Sequence, residues 1–155
     1  MRVHRLERTQ HIALPPEQVF AFYADAHNLE AITPPWLGFR IVTPGEIEMR
    51  PGALIEYRLV VHRVPVRWLT RIESWDPGHG FVDAQVRGPY KLWHHTHSFE
   101  PDGNGGTIMR DLVRYALPLG PLGALAHLAL VRRDLERIFE FRQAAVARTL
   151  LHKVK

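Results

Sequence analysis

The sequence predicts an α+β domain in which a curved antiparallel sheet of about six or seven strands wraps around one long C-terminal helix. Between residues 53 and 117, apolar and polar residues alternate in short runs separated by turn-forming residues, which is typical of half-buried strands. Because the turns are short, consecutive strands pair antiparallel. After residue 118 the apolar period changes from two residues to three and four, which indicates an amphipathic helix.

Length and composition fit one domain. The chain has 155 residues, and no repeat or linker divides it, so we expect residues 1–155 to form a single domain. No apolar run reaches the roughly 18 residues that a membrane-spanning helix needs. The first ten residues are charged and polar, unlike a secretion signal. We therefore expect a cytoplasmic protein.

Charge and cysteine content exclude several function classes. The formal net charge is +4 and the isoelectric point about 9.8, but the basic residues are scattered and partly offset by acidic ones on the last helix. This pattern favours a solvated surface, so we predict no nucleic-acid partner. The chain has no cysteine, which excludes disulfides, thiolate metal ligands and a thiol nucleophile.

The N-terminal elements are a strand and a short helix. Residues 3–14 are predicted to form a polar strand, and Pro15 and Pro16 end it, since proline suits the first turn of a helix. The apolar face of the helix that follows includes Phe20 and Tyr23. Its continuation stops at Pro34, which is followed by a second proline that cannot extend a helix.

Six further strands are predicted between these elements and the last helix. Proline- and glycine-containing turns bound most of them, Pro65 separates the second from the third, and a glycine-rich loop at 101–106 joins the last two. They cover residues 39–43, 53–63, 66–73, 81–87, 90–100 and 107–117.

The C-terminal helix is predicted to run for about thirty residues, or ~45 Å. Its apolar stripe recurs at steps of three and four and comprises Leu128, Val131, Leu135, Ile138, Phe139, Arg142, Ala145 and Val146. Residues 119–130 are rich in Leu, Ala and Gly, and we expect them to pack against the rim of the sheet. A mobile lid, a self-association patch or a membrane-touching edge are the alternatives.

This order of elements resembles the helix-grip fold of START lipid-transfer domains, polyketide cyclases, coenzyme-Q-binding proteins and the birch-pollen allergen family (the SRPBCC superfamily). The likeness covers essentially the whole chain, and local stretches resemble a bacterial START-like, cyclase/dehydrase branch of unknown ligand. These stretches are TPPWL at 33–37, FVDAQVRGP at 81–89, WHHTHSF at 93–99, DLVRY at 111–115 and LPLGPLG at 117–123, with Phe139 and Arg142 on the last helix.

The resemblance implies a cavity between the sheet and the last helix. Tyr57, Trp68 and Trp93 lie on the apolar faces of their predicted strands, and aromatic walls with a few polar groups are typical of small-molecule sites. From the residues alone, these side chains could equally fill a solid core. With the implied cavity, we predict that they contact a ligand together with Leu135 and Ile138 of the helix.

Several polar residues are predicted to face inward. Strand parity places His95 and His97 on the same face as Trp93, and across the hairpin it places Asp111 and Tyr115 on one face. A buried carboxylate must find partners, for which these histidines and Arg142 are candidates. Asp83 and Gln85 stay open: the alternation of polarity turns them outward, whereas the resemblance turns them inward.

Three roles fit the inward polar group. It could be a structural network, or it could recognise the polar end of a ligand, or His95, His97 and Asp111 could ligate zinc or iron. We weigh the first two equally and predict no metal, because a fourth ligand is not evident. We also predict no cofactor, since the sequence has no nucleotide-binding fingerprint.

The functional prediction is a protein that binds a hydrophobic small molecule, such as a lipid, an isoprenoid quinone or a polyketide-like compound, for transport or presentation. The alternative is a cyclase- or dehydratase-like enzyme that uses the same cavity, and a second alternative is an accessory module of a nucleotide-sugar epimerase-like partner. We expect a binding protein and assign no catalytic residue. We predict at most transient contact with a membrane surface.

Overall fold

The computed structural model describes residues 1–152, and in this range seven strands and a long C-terminal helix confirm the predicted fold class. The strands are β1 His4–Ile12, β2 Arg40–Ile41, β3 Leu54–Val61, β4 Val64–Asp76, β5 Gly80–Arg87, β6 Leu92–Pro101 and β7 Thr107–Ala116. The helices are α1 Pro16–Ala24, the 3₁₀ turns Ala26–Glu30 and Pro35–Leu37, and the continuous C-terminal helix, which comprises α2 Gly120–Ala126, a π turn His127–Val131 and α3 Arg132–His152.

The sheet is antiparallel throughout, in the order β1-β7-β6-β5-β4-β3-β2. β1 is therefore sequentially remote from its neighbour β7, while β2 to β7 follow one another as hairpins. The pairing between β4 and β5 shifts register twice, between Leu69 and Thr70 and between Ile72 and Ser74. Such bulges increase the local bend of a strand, and they lie where the sheet must curve around the helix.

Three separate apolar clusters hold the elements together. The first joins α1 to the end of α3 and includes Phe20 and Val146. The second packs α3 on β1 and β7 through Leu135 and Val113, and the third lies under β3 and β4 around Ile55. The apolar residues thus surround the space between sheet and helix rather than fill it.

The turn between β3 and β4 differs from the prediction. It consists of His62 and Arg63, whose φ angles of 47° and 68° are both left-handed, as a two-residue hairpin with primed-turn geometry requires. Pro65, which was predicted to separate the two strands, instead lies inside β4 opposite Val60. Neither turn residue is glycine or asparagine, so the usual sequence signal for this turn is missing.

The N-terminal part of the C-terminal helix also differs from the prediction. Leu119, Leu122, Leu125 and Leu128 are all more than 60% exposed, so these leucines do not pack against the sheet rim. Leu128 was placed on the buried stripe, but the π turn adds one residue to the helical turn and rotates the face, and His127 is buried instead. In α3 the predicted stripe is confirmed by buried Leu135, Phe139, Ala145 and Val146.

Membrane crossing by a helix is not supported by these elements. Within residues 1–152, no helix combines the length and the apolar character that a membrane span requires.

Candidate functional site

A cavity of about 770 Å³ lies between the concave face of the sheet and α3. Its walls are mainly aromatic and aliphatic because the inward faces of β3, β4 and β6 carry the apolar residues of their alternating patterns. The apolar wall includes Phe39, Ile55, Tyr57, Leu59, Trp68, Phe81, Tyr90, Trp93, Leu135, Ile138 and Phe139.

Eight of the ten predicted ligand-contacting residues line this cavity. They are Tyr57, Trp68, Trp93, His95, His97, Leu135, Ile138 and Arg142. Asp111 is buried directly behind the two histidines and is not part of the wall. Tyr115 is buried outside the cavity, beside the π turn of the C-terminal helix. Whether the eight residues contact a ligand stays a prediction.

The 3₁₀ turn Pro35–Leu37 and the β3–β4 hairpin contribute residues to the cavity wall and both contact α3. At the hairpin tip, the His62 imidazole forms a hydrogen bond with the Asp134 carboxylate of α3. In the 3₁₀ turn, Trp36 is half exposed, with its ring 5.7 Å from that of Phe141 and 5.2 Å from the Arg137 guanidinium carbon. Side-chain contacts therefore join both of these segments to α3.

The polar end of the cavity is a group of four residues that we call the Asp–His cluster: Asp83, His95, His97 and Asp111. They lie on three adjacent strands, since Asp83 of β5 pairs with His95 of β6, and His97 of β6 pairs with Asp111 of β7. The short contacts run diagonally: His97 Nε2 is 2.7 Å from Asp83 Oδ2, and His95 Nε2 is 2.8 Å from Asp111 Oδ1. The two imidazole rings lie with centroids 3.7 Å apart and are tilted by 31° relative to each other.

Burial and mutual charge shift the protonation equilibria of this cluster. Burial opposes a charge on His97, but the close contacts and negative charges of Asp111 and Asp83 outweigh it and raise the pKa of His97. Burial together with the adjacent His97 lowers the pKa of His95. Burial also opposes a charge on Asp111, yet its contacts with both histidines hold the pKa of that carboxyl well below its usual range. His97 is thus the preferred carrier of positive charge, between two ionised carboxylates.

Besides His97 Nδ1, which faces Asp111, two hydrogen-bond donors of the cavity wall have no partner among the described residues. The indole Nε1 of Trp68 and the guanidinium Nε of Arg142 are both shielded from solvent and make no hydrogen bond within residues 1–152. A buried donor without an acceptor costs about 1–3 kcal/mol. A molecule that supplies acceptor oxygens at these points would remove this cost.

Tyr115 belongs to a different group, which we call the Tyr–His cluster: His4, Tyr115 and His127. The Tyr115 hydroxyl is 2.8 Å from His127 Nε2, and the His4 ring stacks on His127 at 3.6 Å. Burial, followed by the charges of His4 and nearby arginines, lowers the pKa of His127. The cluster fastens the start of the C-terminal helix to β1 and β7.

Sequence reasoning left Asp83 open and missed His4 and His127 of these groups. Asp83 faces inward with Phe81, so the interpretation from family resemblance is correct and the interpretation from alternating polarity is wrong. Gln85 does not reach the cavity wall and instead hydrogen-bonds with the backbone of Tyr90. His127 was not singled out, although a lone histidine in a Leu- and Ala-rich segment was an available signal.

A curved sheet closed by a long helix around an apolar cavity, with a polar group at one end, defines a helix-grip protein of the SRPBCC superfamily. The family model described as "Polyketide cyclase / dehydrase and lipid transport" matches residues 3–150, and the chain belongs to this family. This family supports hydrophobic small-molecule binding as the general role. No curated protein matches the chain.

Solved structures confirm the fold. The chain is similar to a Thermus thermophilus protein, with 22% identity, a TM-score of 0.72 and coverage of 98% of this chain and 100% of that one. It is also similar to the ZhuI aromatase/cyclase of a Streptomyces species, with 17% identity, a TM-score of 0.72 and coverage of 99% and 97%.

A third similar structure is much longer. It is a nucleoside-diphosphate sugar epimerase from Corynebacterium glutamicum, with 23% identity and a TM-score of 0.63 over 94% of this chain and 29% of that one. The helix-grip fold therefore also occurs as one part of a larger protein.

Proposed function

We propose that this protein binds an amphipathic small molecule whose apolar ring system or chain fills the cavity and whose oxygen-bearing end lies at Trp68 and Arg142. The observation that supports this most directly is the pair of shielded, unpartnered donors of Trp68 and Arg142 on a mainly apolar wall. Ligand sites typically combine an apolar enclosure with a few placed polar groups.

Size and shape narrow the class of ligand. A volume of about 770 Å³ lies in the upper part of the range that small-molecule sites occupy, roughly 300–1,000 Å³. The rings of Trp68 and Trp93 meet edge to face at 5.2 Å, and Tyr90 lies 4.9 Å from Trp93. Such an aromatic wall favours flat or unsaturated molecules, which include isoprenoid quinones and polyketide-like compounds as well as lipids.

The first experiment is native mass spectrometry of the purified protein, followed by organic extraction and identification of any compound carried through. We expect an apolar, oxygen-bearing molecule in near-stoichiometric amount. In parallel, a quinone, a fatty acid and an aromatic polyketide are titrated into delipidated protein, with tryptophan fluorescence as the readout.

Three variants locate the binding site. Ile138→Trp fills the cavity and should abolish binding, whereas Leu128→Trp, on an exposed part of the same helix, should leave it unchanged. Trp68→Phe removes the N–H donor but keeps an aromatic ring, and should weaken binding about tenfold, the equivalent of one hydrogen bond. The proposal fails if no compound co-purifies and no titrated compound binds in a way that Ile138→Trp prevents.

A cyclase- or dehydratase-like activity is the second candidate function. The observation that favours it is the Asp83–His97 pair at the cavity wall, because a carboxylate–imidazole pair can transfer protons to a bound carbonyl compound. In an enzyme, Asp83→Asn and His97→Gln should abolish turnover and leave binding largely intact. In a pure binding protein, the same changes alter affinity, and mass spectrometry detects no product with any variant.

A further inference from the structure

Beyond organic ligand binding, the geometry points to a divalent transition-metal site at the polar end of the cavity, with Asp83, His95 and His97 as ligands. The sequence suggested a different set, with Asp111 as the carboxylate ligand. In the structure Asp83 takes that place, and Asp111 lies on the opposite side of the two histidines. The site does not depend on the identity of any organic ligand.

The three donor groups converge. One ligand atom from each lies within 4.8 Å of the other two. Asp83 Oδ2 is 2.7 Å from His97 Nε2 and 3.8 Å from His95 Nδ1. Metal–ligand bonds of about 2.1 Å at tetrahedral angles place donors about 3.4 Å apart. To reach this spacing, the carboxylate oxygen needs to move about 0.7 Å away from His97 Nε2 and about 0.4 Å toward His95 Nδ1.

Asp111 occupies the position of a supporting carboxylate. Its Oδ1 is 2.8 Å from His95 Nε2 and 3.2 Å from His97 Nδ1, the ring nitrogens that face away from Asp83. The first contact is a hydrogen bond, whereas His97 Nδ1 lies beside the carboxylate and makes no hydrogen bond among the described residues. Metal-bound histidines commonly give their second ring N–H to such a carboxylate, which fixes the ring orientation.

Charge and access are also consistent with a cation. Two carboxylates face two imidazoles at a site where the side chain of Asp83 is 18% exposed and the other three are at most 8% exposed. A bound dication would balance the two carboxylates. Asp83, His95 and His97 all line the cavity, so the remaining coordination positions open toward the space that an organic ligand or water can enter.

The donor set limits the metal. Two imidazoles and one carboxylate with open positions are typical of zinc and of non-haem iron(II), whereas magnesium and calcium prefer all-oxygen sites. The site therefore takes a first-row transition metal of the zinc or iron(II) type.

The test uses metal alone. Protein stripped with a chelator and freed of organic ligand is titrated with Co²⁺, whose visible absorption reports coordination, and then with Zn²⁺ in competition. We expect one equivalent of Co²⁺ to bind and Zn²⁺ to displace it. Because the chain has ten histidines, two-dimensional ¹H–¹⁵N NMR of the imidazole nitrogens during the Zn²⁺ titration identifies the ligands, and we expect His95 and His97 to shift.

Variants separate this site from surface binding. Asp83→Asn and His97→Gln should lose the Co²⁺ spectrum, and Asp111→Asn should weaken binding by about 10–100-fold, as expected for a supporting carboxylate. His94→Gln, one residue away on β6 and not part of the cavity wall, should have no effect. Circular dichroism checks that each variant folds.

Two results would overturn the assignment. One is the absence of stoichiometric binding to the wild-type protein. The other is imidazole shifts confined to histidines other than His95 and His97. Since both are measured on wild-type protein without organic ligand, a folding defect in a variant, or failure of the proposed ligand-binding function, leaves this test intact.

Discussion

The two buried polar clusters differ in charge although both are built from histidines on the same sheet. The Asp–His cluster combines two carboxylates with two imidazoles, and the pKa of His97 is raised while that of Asp111 is lowered. In the Tyr–His cluster the partner of His127 is a neutral hydroxyl, and the pKa values of His4 and His127 are lowered.

This difference shows what decides the charge of a buried histidine in this fold. Burial disfavours the imidazolium in both places. The carboxylates of Asp83 and Asp111 reverse the effect at His97, but not at His95, where burial and the neighbouring His97 outweigh them. The Asp–His cluster is consequently a charged group at the cavity, whereas the Tyr–His cluster is an uncharged set of contacts that holds the helix on the sheet. Three predictions test this distinction, and the largest effect comes first.

Asp111→Ala should destabilise the protein by about 3–5 kcal/mol, because it removes one partner of a buried ion pair and leaves the other charge uncompensated. Equilibrium unfolding in urea measures the change. The matched control is Glu100→Ala on the same hairpin, which breaks an exposed contact with Arg110 and should cost less than about 1 kcal/mol. Equal losses in the two variants would contradict a charged Asp–His cluster.

Tyr115→Phe should cost about 1 kcal/mol, the net value of one neutral hydrogen bond, here to His127. The matched control is Tyr23→Phe, because the Tyr23 hydroxyl is also buried but contacts the sulfur of Met109 at 3.4 Å, a weak acceptor. The Tyr23→Phe control should therefore lower the free energy of unfolding by less than Tyr115→Phe does. If Tyr115→Phe is neutral in urea unfolding, the hydroxyl does not fasten the helix.

The smallest effect is a dependence on pH. Since the pKa of His127 is lowered in the folded state, the folded protein binds fewer protons than the unfolded chain below the ordinary histidine pKa of 6.5. The stability that neutral His127 contributes is present above that pH and decreases as the pH falls. His127→Gln keeps a hydrogen-bonding group but does not titrate, so the wild type should lose stability relative to this variant between about pH 7.5 and 5. A difference in unfolding free energy between the wild type and His127→Gln that does not change with pH would contradict a neutral His127.

Most of the fold could be predicted because periodicity reports it directly. The alternation at Ile55, Tyr57 and Leu59 identifies a strand, and steps of three and four from Leu135 to Val146 identify α3. The face of residues 120–131 could not be predicted, because apolar residues occur all around that segment and a π turn shifts the phase. The left-handed turn at His62 and Arg63 lacks the residue types that signal it.

The candidate site was predictable where inward-facing and outward-facing side chains alternate clearly along one strand. Trp93, His95 and His97 follow the parity of β6, and all three line the cavity. Asp83 was ambiguous because β5 places an acid on the inward face and small apolar residues on the outward one. Tyr115 has the predicted inward orientation, but it points to His127, twelve residues later, and that contact depends on where the C-terminal helix crosses the sheet.

The division of the apolar residues into three clusters has a consequence for how readily the protein is degraded in a cell. Because a cavity lies between these clusters, a bound apolar ligand would add apolar contacts that the protein core itself lacks. A ligand at a hundred times its Kd stabilises the folded state by about 2.7 kcal/mol. Differences of this size change the fraction of unfolded chains that proteases degrade, so the abundance of the protein would follow the supply of its ligand.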